Sequence, residues 1–297
     1  MIFRADPKKS FCKFAIHCAL IATSLLLAGC ERSDIRYSET LDRNALMVLP
    51  FPGWTPTGDD KVQPVDLSAT TDAPTEVGVP GTPAEISPLY VVRLDDTHAA
   101  LVTQVLPVDE NNRPFDCHAC SGTIGAYFFE HSADGWHMIT RQDSVATSGV
   151  EGNIGRTSIT KLEEGHFAVT AEWGSCPQGY CGRWLVVVGL QGDLAHLLNS
   201  GIALSVDNDG AHGACSALGH SVLAKEDAKD GSGECLDIQS EWKFQGNHLQ
   251  VLYKGRLSQL GTNGELLPTK KIRERAIYVA TPGQLTLISG SDPIPGF

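Results

Sequence analysis

From Leu89 to the C-terminus, apolar residues fall in short runs broken by turn residues, a pattern that predicts strands throughout. Leu89 to Leu94, the turn Asp95-Asp96, and Ala99 to Leu106 read as a first hairpin. Gly125 to Glu130 faces Trp136 to Thr140 across Ser132-Ala133-Asp134-Gly135, and Thr157 to Leu162 faces His166 to Trp173 across Glu163-Glu164-Gly165. In the last of these runs Phe167, Val169 and Ala171 alternate with Ala168, Thr170 and Glu172, the period of a half-buried strand. Trp184 to Val188 is continuously apolar and predicts a strand buried on both faces. The pattern continues through Leu194–Leu198, Leu236–Phe244, His248–Tyr253, Ala276–Ala280 and Gln284–Ile288. No segment of helical length carries a clean 3.6-residue period.

The expected class is therefore all-β. A loose repeat runs beneath the strands: His98-Ala99-Ala100-Leu101-Val102, His166-Phe167-Ala168-Val169-Thr170 and His248-Leu249-Gln250-Val251-Leu252 each follow a turn. Unequal spacing between the copies leaves two arrangements open for the domain at 89–297, a propeller-like antiparallel meander and a β-sandwich. The repeat tips the expectation towards the meander.

Ahead of Leu89 the character changes. Eight of the 16 prolines lie between Pro50 and Pro88, so residues 30–88 read as a Pro-rich tether, unfit for an inner strand. Within it Ala45-Leu46-Met47-Val48-Leu49, Phe51 and Trp54 are too apolar for a linker, and residues 45–54 are expected to dock on the domain as an edge strand. Further upstream, Arg4, Lys8, Lys9 and Lys13 precede the apolar run Phe14–Leu27, the layout of a secretory signal peptide over 1–29. The run is shorter than the ~20 residues that cross a bilayer. It ends in Leu25-Leu26-Leu27-Ala28-Gly29-Cys30, which resembles the lipobox of bacterial lipoproteins. That resemblance covers residues 1–30. It implies cleavage before Cys30, lipidation of Cys30 by a thioether-linked diacylglycerol and an N-acyl chain such as palmitate, and anchoring in the cell envelope. Glu31 in the next position implies the outer membrane rather than the inner, with the domain in the periplasm.

Composition narrows the partners. Loss of residues 1–29 removes four basic residues and one acidic one, leaving 19 against 34 and a formal charge of about −15. Such a chain is unsuited to nucleic acid and attracts a basic protein partner. With Cys12 and Cys18 in the signal peptide and Cys30 lipidated, six cysteines remain, an even count that reads as three disulfides in an exported protein. Their connectivity is open among about 15 possibilities. Proximity favours Cys117 with Cys120, Cys176 with Cys181, and Cys215 with Cys235, the last closing the longest loop and contributing roughly 3 kcal/mol in the chain-entropy model.

Signals for chemistry are sparse. Cys117-His118-Ala119-Cys120 has redox or zinc half-site spacing, but without a βαβ setting a structural disulfide is the better reading. Asp207-Asn208-Asp209-Gly210 places Asp207 and Asp209 as Ca²⁺ candidates, although the full calcium loop is missing and an Asn/Asp turn explains the same residues. His212, Cys215 and His220 fit a His-rich disulfide loop better than a transition-metal site. No cofactor is required, and neither a G-x-S-x-G elbow nor an H-E-x-x-H helix is present. Lys270-Lys271-Ile272-Arg273-Glu274-Arg275 puts Lys271, Arg273 and Arg275 on one strand face, either as protection of a sheet edge or as a docking patch for an acidic partner. The expected function is a non-catalytic protein-binding module, such as an inhibitor or immunity protein against a secreted toxin or cell-wall hydrolase. An exported hydrolase with a spatially assembled site, or an envelope-assembly factor, is the alternative.

Overall fold

Each strand expected from Leu89 onward is present, and each pairs antiparallel with its sequence neighbour inside one of two sheets. The computed structural model describes residues 35–68, 80–211, 215, 218, 233–261 and 266–295, of which those from Tyr37 on belong to one compact unit. The first sheet runs in the order β1 (Val62–Val65), β2 (Thr82–Arg93), β3 (His98–Pro107), β4 (Gly122–Ser132) and β5 (Gly135–Ser148). The second holds β6 (Arg156–Glu163), β7 (His166–Ser175), β8 (Cys181–Gln191), β9 (Leu194–Asp207), β10 (Glu234–Gln245), β11 (His248–Gln259), β12 (Lys270–Thr281) and β13 (Gln284–Gly290), again in chain order. It is strongly curled into a half-barrel. The fold is thus an all-β antiparallel meander with three disulfides. Of the two arrangements left open, it takes the sandwich-like one, sheet packed on sheet. The three His-led segments begin β3, β7 and β11, but they are distributed over both sheets and mark no blades.

Two apolar layers hold the curled sheet. On its inner face Leu185, Val187, Leu204, Val206, Ile238, Leu249, Val251, Tyr253, Ile272 and Ala276 form one core, closed by Ile294 from the C-terminal segment. On its outer face Val169, Ala171, Val186, Val188, Leu190 and Ala195 pack against Ala100, Val102, Ile124, Ala126 and Phe128 of the first sheet. The Gln142 side chain fastens the sheets at this layer, donating to the Ala195 carbonyl (3.1 Å) and accepting from its N–H (2.8 Å). Strand β8 is buried on both faces, as its continuous apolar run requires. So is β7, which departs from the half-buried strand expected there. Ala168 turns into one core and Val169 into the other, and the polar Thr170 is accommodated by a 2.7 Å hydroxyl contact with Ser158.

The far face of the first sheet carries a third layer, built with residues ahead of Leu89. Leu46, Met47, Phe51, Trp54, Val65 and Leu67 pack on Ile86, Ala99, Leu101, Tyr127 and Phe129. The docked stretch is not the expected edge strand. It begins as a short helix, α1 (Arg43–Met47), started by the Asp42 carboxylate, which accepts from the N–H groups of Asn44 and Ala45. The edge position falls to β1, where Pro64 costs no inner ladder bond. Trp54 Nε1 donates to the Ile86 carbonyl (3.0 Å). Arg141 donates to the carbonyls of Pro50 and Pro64 and to Asp143, which also accepts from the buried Tyr127 hydroxyl and the Asp66 N–H.

This layer makes the N-terminal segment part of the fold. A chain cut to begin at Leu89 loses α1, β1 and the first half of β2, leaving Tyr127 and Phe129 bare to water and Asp143 short of partners. It is expected to aggregate or to lack a cooperative thermal transition, whereas a chain beginning at Ile35 retains one. Differential scanning calorimetry of the two checks this.

Candidate functional site

The first sheet covers only part of the second. Its apolar layer engages β7, β8 and the first turn of β9, and no residue of β10, β11 or β12 contributes to it. Side chains alternate along a strand, so the residues between the inner-core positions of β10–β12 face outward over this uncovered region. They are Asp237 and Gln239 on β10, Lys254 and Arg256 on β11, and Lys271, Arg273 and Arg275 on β12. All of these except Asp237 are exposed.

Strand register sorts these residues into rows. Asp207, Asp237, Arg256 and Lys271 are successive cross-strand partners from β9 to β12, and Ser205, Gln239, Lys254 and Arg273 form the row beside them. Arg275 lies opposite Leu252. Neighbouring strands are ~4.8 Å apart and alternate residues ~6.8 Å apart along a strand, so five cations share a patch about two strands wide. They line a groove of about 980 Å³ whose floor includes Gly255. A Cβ at Gly255 would collide with the Asp237 carbonyl, so only glycine lets β10 and β11 approach so closely here. Among the described residues Lys254, Lys271, Arg273 and Arg275 take part in no ion pair. The Arg256 side chain donates to the Leu218 carbonyl (3.2 Å), from the loop held by Cys215–Cys235.

The other end of the groove is acidic. A second hollow of about 670 Å³ shares Gln239 with the first and is lined by Asp207, Ser205, Arg183, the Cys176–Cys181 disulfide and the His118–Glu151 pair. Asp207 faces Asp237 in register, a like-charge opposition. The Asp207 charge and its hydrogen bond raise the Asp209 carboxyl above its ordinary value, with a smaller contribution from Asp237. Behind the hollow, burial pushes the Glu172 carboxyl up. The Trp242 indole, Arg156 and Arg183 outweigh that and hold it below the usual range.

The sequence motifs fare unequally. All three disulfides are present, as Cys117–Cys120, Cys176–Cys181 and Cys215–Cys235, and each borders this composite groove or the loop that abuts it. The Cys117–Cys120 loop reaches it through His118, 3.2 Å from Glu151. In the Asp-Asn-Asp-Gly turn the middle residue is structural: Asn208 is buried, donates to the Glu234 carbonyl (2.7 Å) and accepts from the Leu236 N–H (2.9 Å). Asp207 and Asp209 remain as the turn's two carboxylates, and among the described residues no group of three or more His, Cys, Asp or Glu side chains is placed to hold a metal ion. Cys215 is oxidised, while Cys30, His212 and His220 lie outside the described residues. The basic stretch Lys270–Arg275 sits on a strand whose two halves differ. Ala276–Thr281 pairs with β13, whereas among the described residues Lys270–Arg275 pairs only with β11. Lys254, Arg256 and Asp237 did not stand out from the sequence, and the strand expected at His248–Tyr253 stopped short of Lys254-Gly255-Arg256, whereas β11 runs on to Gln259. No family model, curated protein or solved structure matches the chain.

Because the raised Asp209 carboxyl binds its proton more tightly when folded, its contribution favours the fold at low pH and declines as pH rises through its titration range. Replacing Asp207 with Asn is expected to return the Asp209 pKa towards the ordinary carboxylate value. Carboxyl-detected NMR titration of both proteins reads the shift directly.

Proposed function

We propose that this protein is a lipid-anchored binding module of the bacterial envelope that engages a protein partner through the charged groove over β9–β12. The observation that carries the reading is the group of five cations that share the groove. Two of them, Lys254 and Arg256, lie on β11, which is flanked by β10 and β12, so protection of a sheet edge does not account for them. Charge left unneutralised on a rigid sheet is pre-organised for an anionic surface, because binding neither breaks internal ion pairs nor reorganises backbone. The resemblance of residues 1–30 to a lipoprotein signal supports attachment through Cys30, with the outer membrane favoured and the domain in the periplasm. The charge of about −15 left after loss of residues 1–29 draws a basic partner into encounter, and the groove then fixes orientation on that partner's acidic region. Inhibition of a secreted toxin or cell-wall hydrolase is the concrete form of this function. An envelope-assembly role uses the same surface with a different partner.

The exported-hydrolase alternative rests on the Asp207–Asp209 pair, where a carboxyl raised by its neighbour is suited to act as a general acid.

A photo-crosslinking amino acid placed at Lys254 or Arg273, in cells making the full chain, separates these readings. The binding reading expects one discrete protein adduct from both groove positions and none from Asp193, on the far turn between β8 and β9. Absence of adducts, together with turnover of peptidoglycan or ester substrates that Asp209→Asn abolishes, would replace it with the hydrolase.

A further inference from the structure

Where β13 stops, β12 is left with one bare edge among the described residues. Gly290 pairs with Ala276 and turns the chain away in a left-handed conformation (φ 81°). A Cβ at that position would collide with the Arg275 carbonyl, so the departure requires glycine. Beyond it, Ser291 meets Glu274 and Ile294 enters the inner core, so the C-terminal segment passes under the sheet and does not continue along its edge. The backbone of Lys270–Glu274 therefore has one free side among the described residues, in line with β13.

We infer that this gap is a strand-addition site, and that the partner fills it with an extended segment whose alternate residues are acidic. The inference rests on the binding-module reading and specifies which part of the partner is recognised. Its chemistry follows from the register. An added strand places alternate residues beside Lys271 and Arg273, at the same ~6.8 Å spacing that alternate side chains of any strand possess, and Arg275 extends the cation row at the end of the gap. Lys254 and Arg256, one strand further in, extend the positive field over the same face. On the opposite face Ile272 is buried, so the intervening partner residue there is apolar. Backbone hydrogen bonds to the free edge supply affinity, and the cation row supplies selection against non-acidic strands. Charged edges ordinarily keep strands single. This edge repels another copy of itself yet attracts an acidic strand, so protection and selectivity coincide.

The test uses the full chain purified in detergent and a fluorescent peptide of about nine residues alternating Glu and Val, followed by anisotropy. Two further peptides carry N-methyl groups on alternate residues, one in each phase, and polyphosphate serves as a backbone-free polyanion. Strand addition expects the parent peptide and one N-methylated phase to bind, and the other phase to be weakened severely. The pair R273E/R275E is expected to weaken the parent peptide by roughly tenfold, from lost attraction and added repulsion at two positions of the cation row. R273Q/R275Q, which adds no repulsion, is expected to fall between them, with unchanged thermal midpoints verifying folding in both. Equal binding of both N-methylated phases overturns the inference, as does binding of polyphosphate without the peptide. If groove crosslinks to a protein persist while the peptides fail, strand addition is excluded and the binding module stands.

Discussion

The architecture depends on burying β7 and β8 from both sides. Their inward residues, such as Ala168, Leu185 and Val187, require the sheet to curl on itself, and their outward residues, such as Val169, Val186 and Val188, require a second sheet laid across the back. The five strands that answer the second demand extend only as far as the start of β9. What remains of the larger sheet, β10 to β12, has an apolar inside and an outer face to which the first sheet's apolar layer does not extend. The outward residues there, Asp237, Gln239, Lys254, Arg256, Lys271, Arg273 and Arg275, are polar or charged, and the identity of those charges becomes the protein's distinguishing surface. Fully burying a residue such as Val186 contributes about 1.5–3 kcal/mol, so the two-sided strands outweigh the repulsion accumulated in the exposed charge rows.

Those rows set opposite charges in register once, at Asp237 and Arg256, and otherwise run against local neutrality. Asp207 stands opposite Asp237 where a Lys would have paired, and Arg256, Lys271, Lys254 and Arg273 gather one strand further along. Elsewhere the same chain pairs its charges readily. Lys61 meets Glu85 at 2.7 Å, Arg183 meets Glu172 at 2.7 Å, and Arg141 is satisfied by Asp143 and two carbonyls. A sheet that neutralises its cations in other places but separates them by sign over one groove has kept a field there. The three disulfides cluster around the same region, and they stiffen loops that have little core of their own beyond the small cluster of Cys215, Leu218 and Cys235.

Legibility from sequence followed the physics of each element. Strands with an apolar alternation and a Gly or Asp turn were visible, from Leu89 to Ile288. Strand β1 was not, because Val62-Gln63-Pro64-Val65 is four residues long and contains a proline. Likewise β2 begins at Thr82, ahead of its apolar run, because Pro83 and Pro88 disguise its first half. Docking of residues 45–54 showed in their apolarity, but a five-residue helix is too short for any period to declare itself. The polar Thr170 concealed the two-sided burial of β7. For the site, the basic run on β12 was conspicuous because its charges are adjacent in sequence. Lys254 and Arg256 read as ordinary solvent positions, since only strand register brings them beside Lys271 and Arg273. Disulfide pairing followed proximity because hairpin-connected strands keep sequence neighbours adjacent in space.

Amide hydrogen exchange tests most directly the claim that β7–β8 form a two-sided spine while half of β12 has an edge left unpaired by the described residues. The account predicts slowest exchange at Val186–Val188. Along Lys270–Arg275 it predicts alternate fast and slow amides, according to whether each N–H points to the free edge or to β11. Uniform protection along the whole of β12, or exchange at Val186–Val188 as fast as in Lys270–Arg275, would contradict it.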